Sequence, residues 1–290
     1  MAAQGNRRAV SRGGRKLRLA ACAAGGVALG LLVFALLIEL GLVRNPLGPF
    51  ESGDLALARS GRPGLRVLFV GNSFTYENSL PELVHELAGG DPDARPIFAV
   101  ELVKGGWTLR AASHDGTLPG LLAGVRWNAV VLQEQSEELS FPAWQRRREV
   151  YPFAQALAAR IAAAGARTML FMTWGYRLGD RRNRAADSFE AMQARLEQGY
   201  DDLGRRLSAP VAPVGAAWRE ALRRRPGIDL WAGDGRHPNR AGSYLAACVF
   251  FAVLERRDPT RSSFDGGLSA GEARFLKRVA GDVAGVERAR

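Results

Sequence analysis

Cysteine and histidine are scarce in this chain of 290 residues, with two and three copies. Cys22 lies in an apolar N-terminal run and Cys248 in a predicted helix, far from each other in the chain. That excludes a disulfide framework and a cysteine-based metal site. Two catalytic signatures are also missing. There is no G-x-S-x-G elbow, because Gly71-Asn72-Ser73-Phe74 continues with Thr75. There is no phosphate-cradling G-x-x-x-x-G-K-[ST] loop, which argues against nucleotide hydrolysis. No internal repeat occurs. Acidic residues are outnumbered 29 to 40 by Lys and Arg, a net charge of +11. The excess is uneven. Before residue 45, Arg7, Arg8, Arg12, Arg15, Lys16, Arg18 and Arg44 face only Glu39, a net +6 that leaves +5 for the remaining 246 residues. That remainder is mild, arginine-dominated and dispersed, so no nucleic-acid surface is expected.

Residues 1–18 read as a basic cytoplasmic tail. Leu19 to Ile38 is a run of twenty residues without a charge, followed by Glu39 and the apolar stretch Leu40 to Val43. Twenty helical residues span about 30 Å, the thickness of a bilayer core. Residues 19–43 are therefore expected to form one transmembrane signal-anchor. The run exceeds the usual length of a signal-peptide core and no A-x-A site follows it. The upstream cations keep the N-terminus cytoplasmic, which places the main domain across a single-pass membrane attachment. Cleavage of the segment would make that domain secreted. Residues 44–64 hold three prolines and four glycines and read as a linker.

From residue 65 onward strand and helix patterns alternate. The candidate strands are Leu65–Val70, Ile97–Val103, Ala129–Leu132, Thr168–Thr173 and Val211–Val214. They are continuous apolar runs rather than alternating ones, as a parallel sheet covered on both faces requires. Helical patterns run from Trp144 to Ala164, from Phe189 to Leu207 and from Arg240 to Leu254, the last apolar nearly all round and so largely buried. Ser79 and Glu82 are spaced as a capping box for the first helix, and Ser269 and Glu272 for an amphipathic helix in the tail. The fold class is α/β: a three-layer α/β/α sandwich on a five-stranded parallel sheet, preceded by the transmembrane helix. The domain spans 65–256, and 257–290 form a C-terminal extension.

The stretch Leu65 to Tyr76 organises the domain. A short buried strand stops at Gly71-Asn72-Ser73, so a serine hydroxyl is presented at the C-terminal edge of the sheet, where open α/β folds bind ligands. Among the histidines, His85 lies in the first amphipathic helix and His114 in a polar loop after the second strand. His237 is the informative one. It sits in Asp234-Gly235-Arg236-His237-Pro238-Asn239, and the proline biases it away from helix into a loop. Asp234 can fold back to one imidazole nitrogen, fixing the tautomer and leaving the other as a base for a serine. Taken alone, D-x-x-H is a structural turn more often than a catalytic pair; its place behind the last strand gives it weight.

With these residues in place the chain resembles the SGNH (GDSL-type) ester hydrolases over about Leu65 to Leu254. The first block matches as Gly71-Asn72-Ser73-Phe74-Thr75, the second by Gly106 in Lys104-Gly105-Gly106-Trp107-Thr108, and the last as Asp234 to His237 followed by Pro238. The third block departs: Gln133-Glu134-Gln135-Ser136 stands where the family has Gly-x-Asn-Asp, as in a branch with a similar LQEQS stretch. The resemblance implies a flavodoxin-like sheet and a serine esterase without metal or cofactor. It makes Ser73 the nucleophile, His237 the base and Asp234 its orienting acid. The oxyanion hole would be the N–H groups of Ser73 and Gly106 with the Gln135 amide, Gln133 being the competing donor. Asn72, Trp107, His114, Gln133 and Trp174 are the candidate pocket residues, with Tyr176 a further aromatic that could stack on a sugar. The expected substrate is a small-molecule or glycan ester, an O-acetyl group on an envelope carbohydrate being one form. An O-acyltransferase, or a non-catalytic carbohydrate-binding protein with a degenerate site, are the alternatives; no oligomeric state is expected from the sequence.

Overall fold

The computed structural model describes residues 50–53 and 55–286. The predicted basic tail and transmembrane segment lie outside the described residues. Among the described residues no helix is long and apolar enough to cross a membrane.

Six strands form one sheet: β1 (Phe50–Gly53), β2 (Leu65–Gly71), β3 (Ile97–Val103), β4 (Ala129–Leu132), β5 (Arg167–Phe171) and β6 (Val211–Ala212). Their order is β1-β3-β2-β4-β5-β6. The last five are parallel, as predicted, and β1 pairs antiparallel with β3 at the edge. The stretch read as a linker thus contributes this sixth strand and the short helix Leu55–Arg59. Its prolines flank the strand and leave its N–H groups available for the ladder. In β2, Val67, Leu68, Phe69 and Val70 are all fully buried. Successive strand residues point to opposite faces, so both faces are covered.

The strand order carries the functional geometry. The chain leaves β2 toward β3 on one side and leaves β4 toward β5 on the other. The crevice at such a reversal, outside the carboxyl ends of adjacent strands, is where doubly wound sheets bind ligands. Here it opens between β2 and β4, which align Val70 with Leu132.

Helix Arg240–Glu255 is buried along thirteen of its sixteen residues, as its all-round apolar pattern requires. Phe250 meets Phe69 and Phe171 edge-to-face at 5.0 and 4.9 Å, pinning the helix to β2 and β5. The C-terminal extension is not an appendage. Helix Ala270–Ala284 packs on Arg240–Glu255 with Leu276, Val279 and Ala280 fully buried.

Other expectations are corrected in detail. The helix read across 144–164 breaks at Val150 into Ala143–Glu149 and Tyr151–Ala163, because Pro152 has no N–H to continue the ladder. The predicted strand end Thr173 lies beyond β5, and Pro213 stops β6 after two residues. The Ser79/Glu82 capping box does not form. Ser79 and Asn78 both sit in the left-handed region, at φ 56° and 55°, and Ser79 makes no side-chain cap. The bent turn instead reaches a distant loop and helix. Asn78 Nδ2 donates to the Pro238 carbonyl and the Ser243 hydroxyl, each at 3.0 Å.

Candidate active site

The β2 strand ends at Gly71, and Asn72 caps the single helical turn Ser73–Tyr76 by accepting from the Phe74 N–H. Ser73 is therefore its first helical residue, where N–H groups have no intrahelical partner. Asn72 Nδ2 donates to the Trp107 carbonyl at 2.9 Å, tying the serine turn to the loop after β3. In that loop Gly106 has φ +68°, a conformation suited to glycine.

The second half of the site is built by residues 231–239. Trp231 and Pro238 form an isolated antiparallel bridge, and the Ala232 N–H donates to the His237 carbonyl at 2.8 Å. Gly235 turns the chain at φ +68°. Asp234 Oδ1 accepts from the Arg236 and His237 N–H groups at 2.9 and 3.0 Å. That leaves Oδ2 for His237 Nδ1 at 2.5 Å. A carboxylate only accepts, so Nδ1 carries the proton and Nε2 presents its lone pair. Nε2 lies 2.9 Å from Ser73 Oγ. Burial works to raise the Asp234 carboxyl, but the bonds from His237 and from the two backbone N–H groups outweigh it and hold it below the ordinary carboxylate range.

Buried aromatics hold this loop. Trp174 is fully buried, stacked between Phe74 at 4.5 Å and Trp218 at 4.2 Å. Its indole N–H donates to the Arg236 carbonyl at 3.0 Å, inside the loop that bears Asp234 and His237. Phe74 also meets the His237 ring edge-on at 5.6 Å. Trp174, expected to line a pocket, is instead buried beneath the loop that bears His237. Trp107 is almost as buried, and its carbonyl rather than its ring serves the site.

The third block is where expectation and structure part. Gln133 is buried, its Oε1 accepting from the Asn72 N–H and the Thr75 hydroxyl, each at 2.9 Å, and its amide donating to the Glu134 carbonyl. It secures the serine turn. Gln135 is folded on its own loop: Nε2 donates to Ser136 Oγ at 3.2 Å and Oε1 accepts from the Glu137 N–H. Asn72 is likewise bonded at both ends of its amide. His114 is elsewhere, its Nδ1 2.7 Å from the Arg110 carbonyl and its ring against Phe153. His85 Nδ1 is taken by the Ile97 carbonyl at 2.7 Å. Tyr176 is buried, its hydroxyl 2.6 Å from Ser136 Oγ.

Glu134 is a residue that the sequence patterns do not single out. It is buried, and its Oε1 accepts from the Leu109 N–H at 3.0 Å and the Gln135 N–H at 2.7 Å. One carboxyl therefore clamps the loops after β3 and β4, on either side of Ser73. Burial pushes it up to about 8, against the pull of those two N–H groups and with a small push from Glu138. Burial thus favours its neutral form. Its place after a strand end is its only signal in the sequence.

No family model matches the chain, and no curated protein matches it in sequence. Solved structures do. A DUF4886 family protein from Bacteroides uniformis matches 76% of this chain and 94% of its own, with a TM-score of 0.63 at 17% identity. A candidate SGNH hydrolase from Slackia heliotrinireducens matches 66% of this chain and 99% of its own, with a TM-score of 0.53 at 28% identity. The chain is an SGNH-type domain. In this SGNH-type domain Ser73, Asp234 and His237 come together beyond the carboxyl end of β2.

Proposed function

We propose that this SGNH-type domain is a serine ester hydrolase. The observation that carries the reading is the relay from Asp234 Oδ2 to His237 Nδ1 at 2.5 Å and from Nε2 to Ser73 Oγ at 2.9 Å. Ser73 and the Asp234–His237 turn come from opposite ends of the domain, and the geometry they form is that of a nucleophile, a base and an orienting acid.

In this reading Ser73 Oγ attacks the ester carbonyl as His237 Nε2 takes its proton. The C–O π electrons move to oxygen, and the N–H groups of Ser73 and Gly106 stabilise that oxyanion. The carbonyl re-forms, the alcohol leaves with the proton from His237, and an acyl-serine remains. Water then enters by the same steps and releases the acid. Asp234 keeps His237 in one tautomer and offsets its charge as imidazolium.

The substrate is an O-acyl ester, and an O-acetyl group on an envelope carbohydrate fits the topology expected from the sequence. The membrane part rests on residues 19–43 alone: a single-pass anchor with this domain across the membrane from the cytoplasm.

The test is turnover of p-nitrophenyl acetate by the purified full-length chain in detergent. Wild type turns it over and Ser73→Ala does not. Equal turnover by Ser73→Ala would remove Ser73 from the chemistry and sink the reading.

A further inference from the structure

The loop that bears the base also carries an open cation. Arg236 directly precedes His237, and both its backbone groups are held: its N–H donates to Asp234 Oδ1 at 2.9 Å and its carbonyl accepts from the Trp174 indole at 3.0 Å. Its side chain is exposed. The guanidinium carbon lies 5.0 Å from the centre of the Tyr176 ring. That ring is buried and crosses from the loop after β5 to the loop after β4, where its hydroxyl meets Ser136 Oγ at 2.6 Å and Glu137 Oε2 at 3.3 Å. The guanidinium is thus placed between the base and the third block, at the rim of the crevice.

Stacking uses the face of a guanidinium and leaves the N–H groups in its plane free to donate. Among the described residues no carboxylate is ion-paired with Arg236. The carboxylates on either side are engaged. Asp234 holds His237 and two backbone N–H groups, and Glu137 accepts from the Tyr176 hydroxyl. Arg177, whose N–H donates to the Gly235 carbonyl of the same loop, is by contrast closed by Asp229 at 2.6 Å. A planar cation left open beside the base suits a carboxylate, which a guanidinium binds through two parallel N–H groups. The position of the base says which part of the ester bears it. His237 must pass its proton to the leaving oxygen, so the alcohol departs along the loop that bears His237 while the acyl group stays on Ser73. An anion met by Arg236 therefore belongs to the alcohol.

We infer that Arg236 selects esters whose alcohol carries a carboxylate, an O-acylated acidic sugar being the class of substrate. Its guanidinium pairs with that carboxylate as the ester binds. No proton or covalent bond moves at Arg236. The contact is made on binding and kept through acylation, so its loss lowers kcat/KM through KM.

This inference rests on the esterase reading above. The experiment compares kcat/KM for 4-acetoxybenzoate and its neutral counterpart 4-acetoxybenzamide. It uses the full-length chain in detergent as wild type, Ser73→Ala and Arg236→Gln, with thermal melts of each and Arg236→Met as a second variant read the same way. A further pair, mono-4-nitrophenyl glutarate and 4-nitrophenyl valerate, puts the charge on the acyl part. Wild type is expected to favour 4-acetoxybenzoate about tenfold, the low end for a hydrogen bond to a charged group, and Arg236→Gln to lose that preference. The ratio cancels any general change in activity between variants. A wild type without the preference overturns the proposal, whether or not the variants fold. So does a preference that the Arg236 variants keep. An Arg236-dependent preference as large for glutarate over valerate also overturns it, by placing the anion on the acyl part. A wild type that turns over neither pair sinks both readings. A wild type silenced by Ser73→Ala but indifferent to the carboxylate sinks this one alone.

Discussion

Glu134→Gln isolates the buried acid that clamps the two loops beside Ser73. In the folded chain this carboxyl is pushed to about 8, against an ordinary value of 4.5. Below 4.5 it is neutral in both states and folding incurs no penalty from it. Between 4.5 and about 8 the unfolded chain releases the proton and the folded chain keeps it. The unfolded state then binds fewer protons, so stability falls as pH rises. The slope is about 1.4 kcal/mol per pH unit for one such group. From pH 5.5 to 7.5 the loss from Glu134 is on the order of 2–3 kcal/mol, a substantial part of a typical domain's stability. A glutamine keeps the oxygen that accepts from Leu109 and Gln135 but cannot ionise. Its amide takes the place of an Oε2 hydroxyl that already has no hydrogen-bond partner at low pH, so the low-pH stabilities stay within about 1–3 kcal/mol of each other. The diagnostic is therefore the slope and not the level. Urea denaturation of the full-length chain in detergent, at half-unit steps from pH 5 to 9, gives both. The wild-type curve should fall toward pH 8 and the variant's should be flatter by the Glu134 contribution. Parallel curves would mean that Glu134 is already ionised when folded, and the account of the clamp would be wrong.

Three further substitutions probe packing and the site. Gly71→Ala would set a Cβ 2.5 Å from Gln133 Oε1 and 2.7 Å from Thr75 Oγ1, atoms bonded to each other; about 1–3 kcal/mol of stability and most esterase turnover should be lost, read by melts and p-nitrophenyl acetate assays. Trp174→Phe keeps a ring between Phe74 and Trp218 but removes the N–H on the Arg236 carbonyl, so kcat should fall with KM unchanged and stability drop by about 1 kcal/mol or more. Leu276→Ala empties a fully buried position in the C-terminal helix and should cost about 2–5 kcal/mol by urea denaturation; a change near zero would mean that this helix is dispensable to the core.

What is legible in the sequence follows from what chemistry leaves local. The five parallel strands are readable because each is a continuous apolar run, and β3 and β4 have the predicted bounds. Asp234 and His237 are readable because a three-residue spacing with a following proline forms a local turn. The strand β1 is hidden because it is half of a pairing with β3, and its short stretch carries turn residues on either side. The Ser79 cap misleads for the same reason: Asn78 is recruited by Pro238 and Ser243, which lie 160 and 165 residues away, and no local pattern encodes that bond. The aromatics near the sheet edge read as pocket because sequence places them after strands, whereas stacking of Phe74, Trp174 and Trp218 into one buried column is a three-dimensional event.

The departed third block has a physical cause that connects these cases. Gly71 has no side chain, and the space a Cβ would fill is occupied by Gln133 Oε1 and Thr75 Oγ1. Gln133 reaches that space from the end of β4 and accepts there from the Asn72 N–H and the Thr75 hydroxyl. An asparagine at 133, one methylene shorter, would leave those two donors buried without their acceptor, at about 1–3 kcal/mol each. The glycine, the threonine and the glutamine are therefore one constraint, and together they fix the turn that presents Ser73. One N–H of the Gln133 amide is in turn held by the Glu134 carbonyl. Gln133, reaching across from the end of β4, thus holds from a neighbouring strand the turn that presents Ser73.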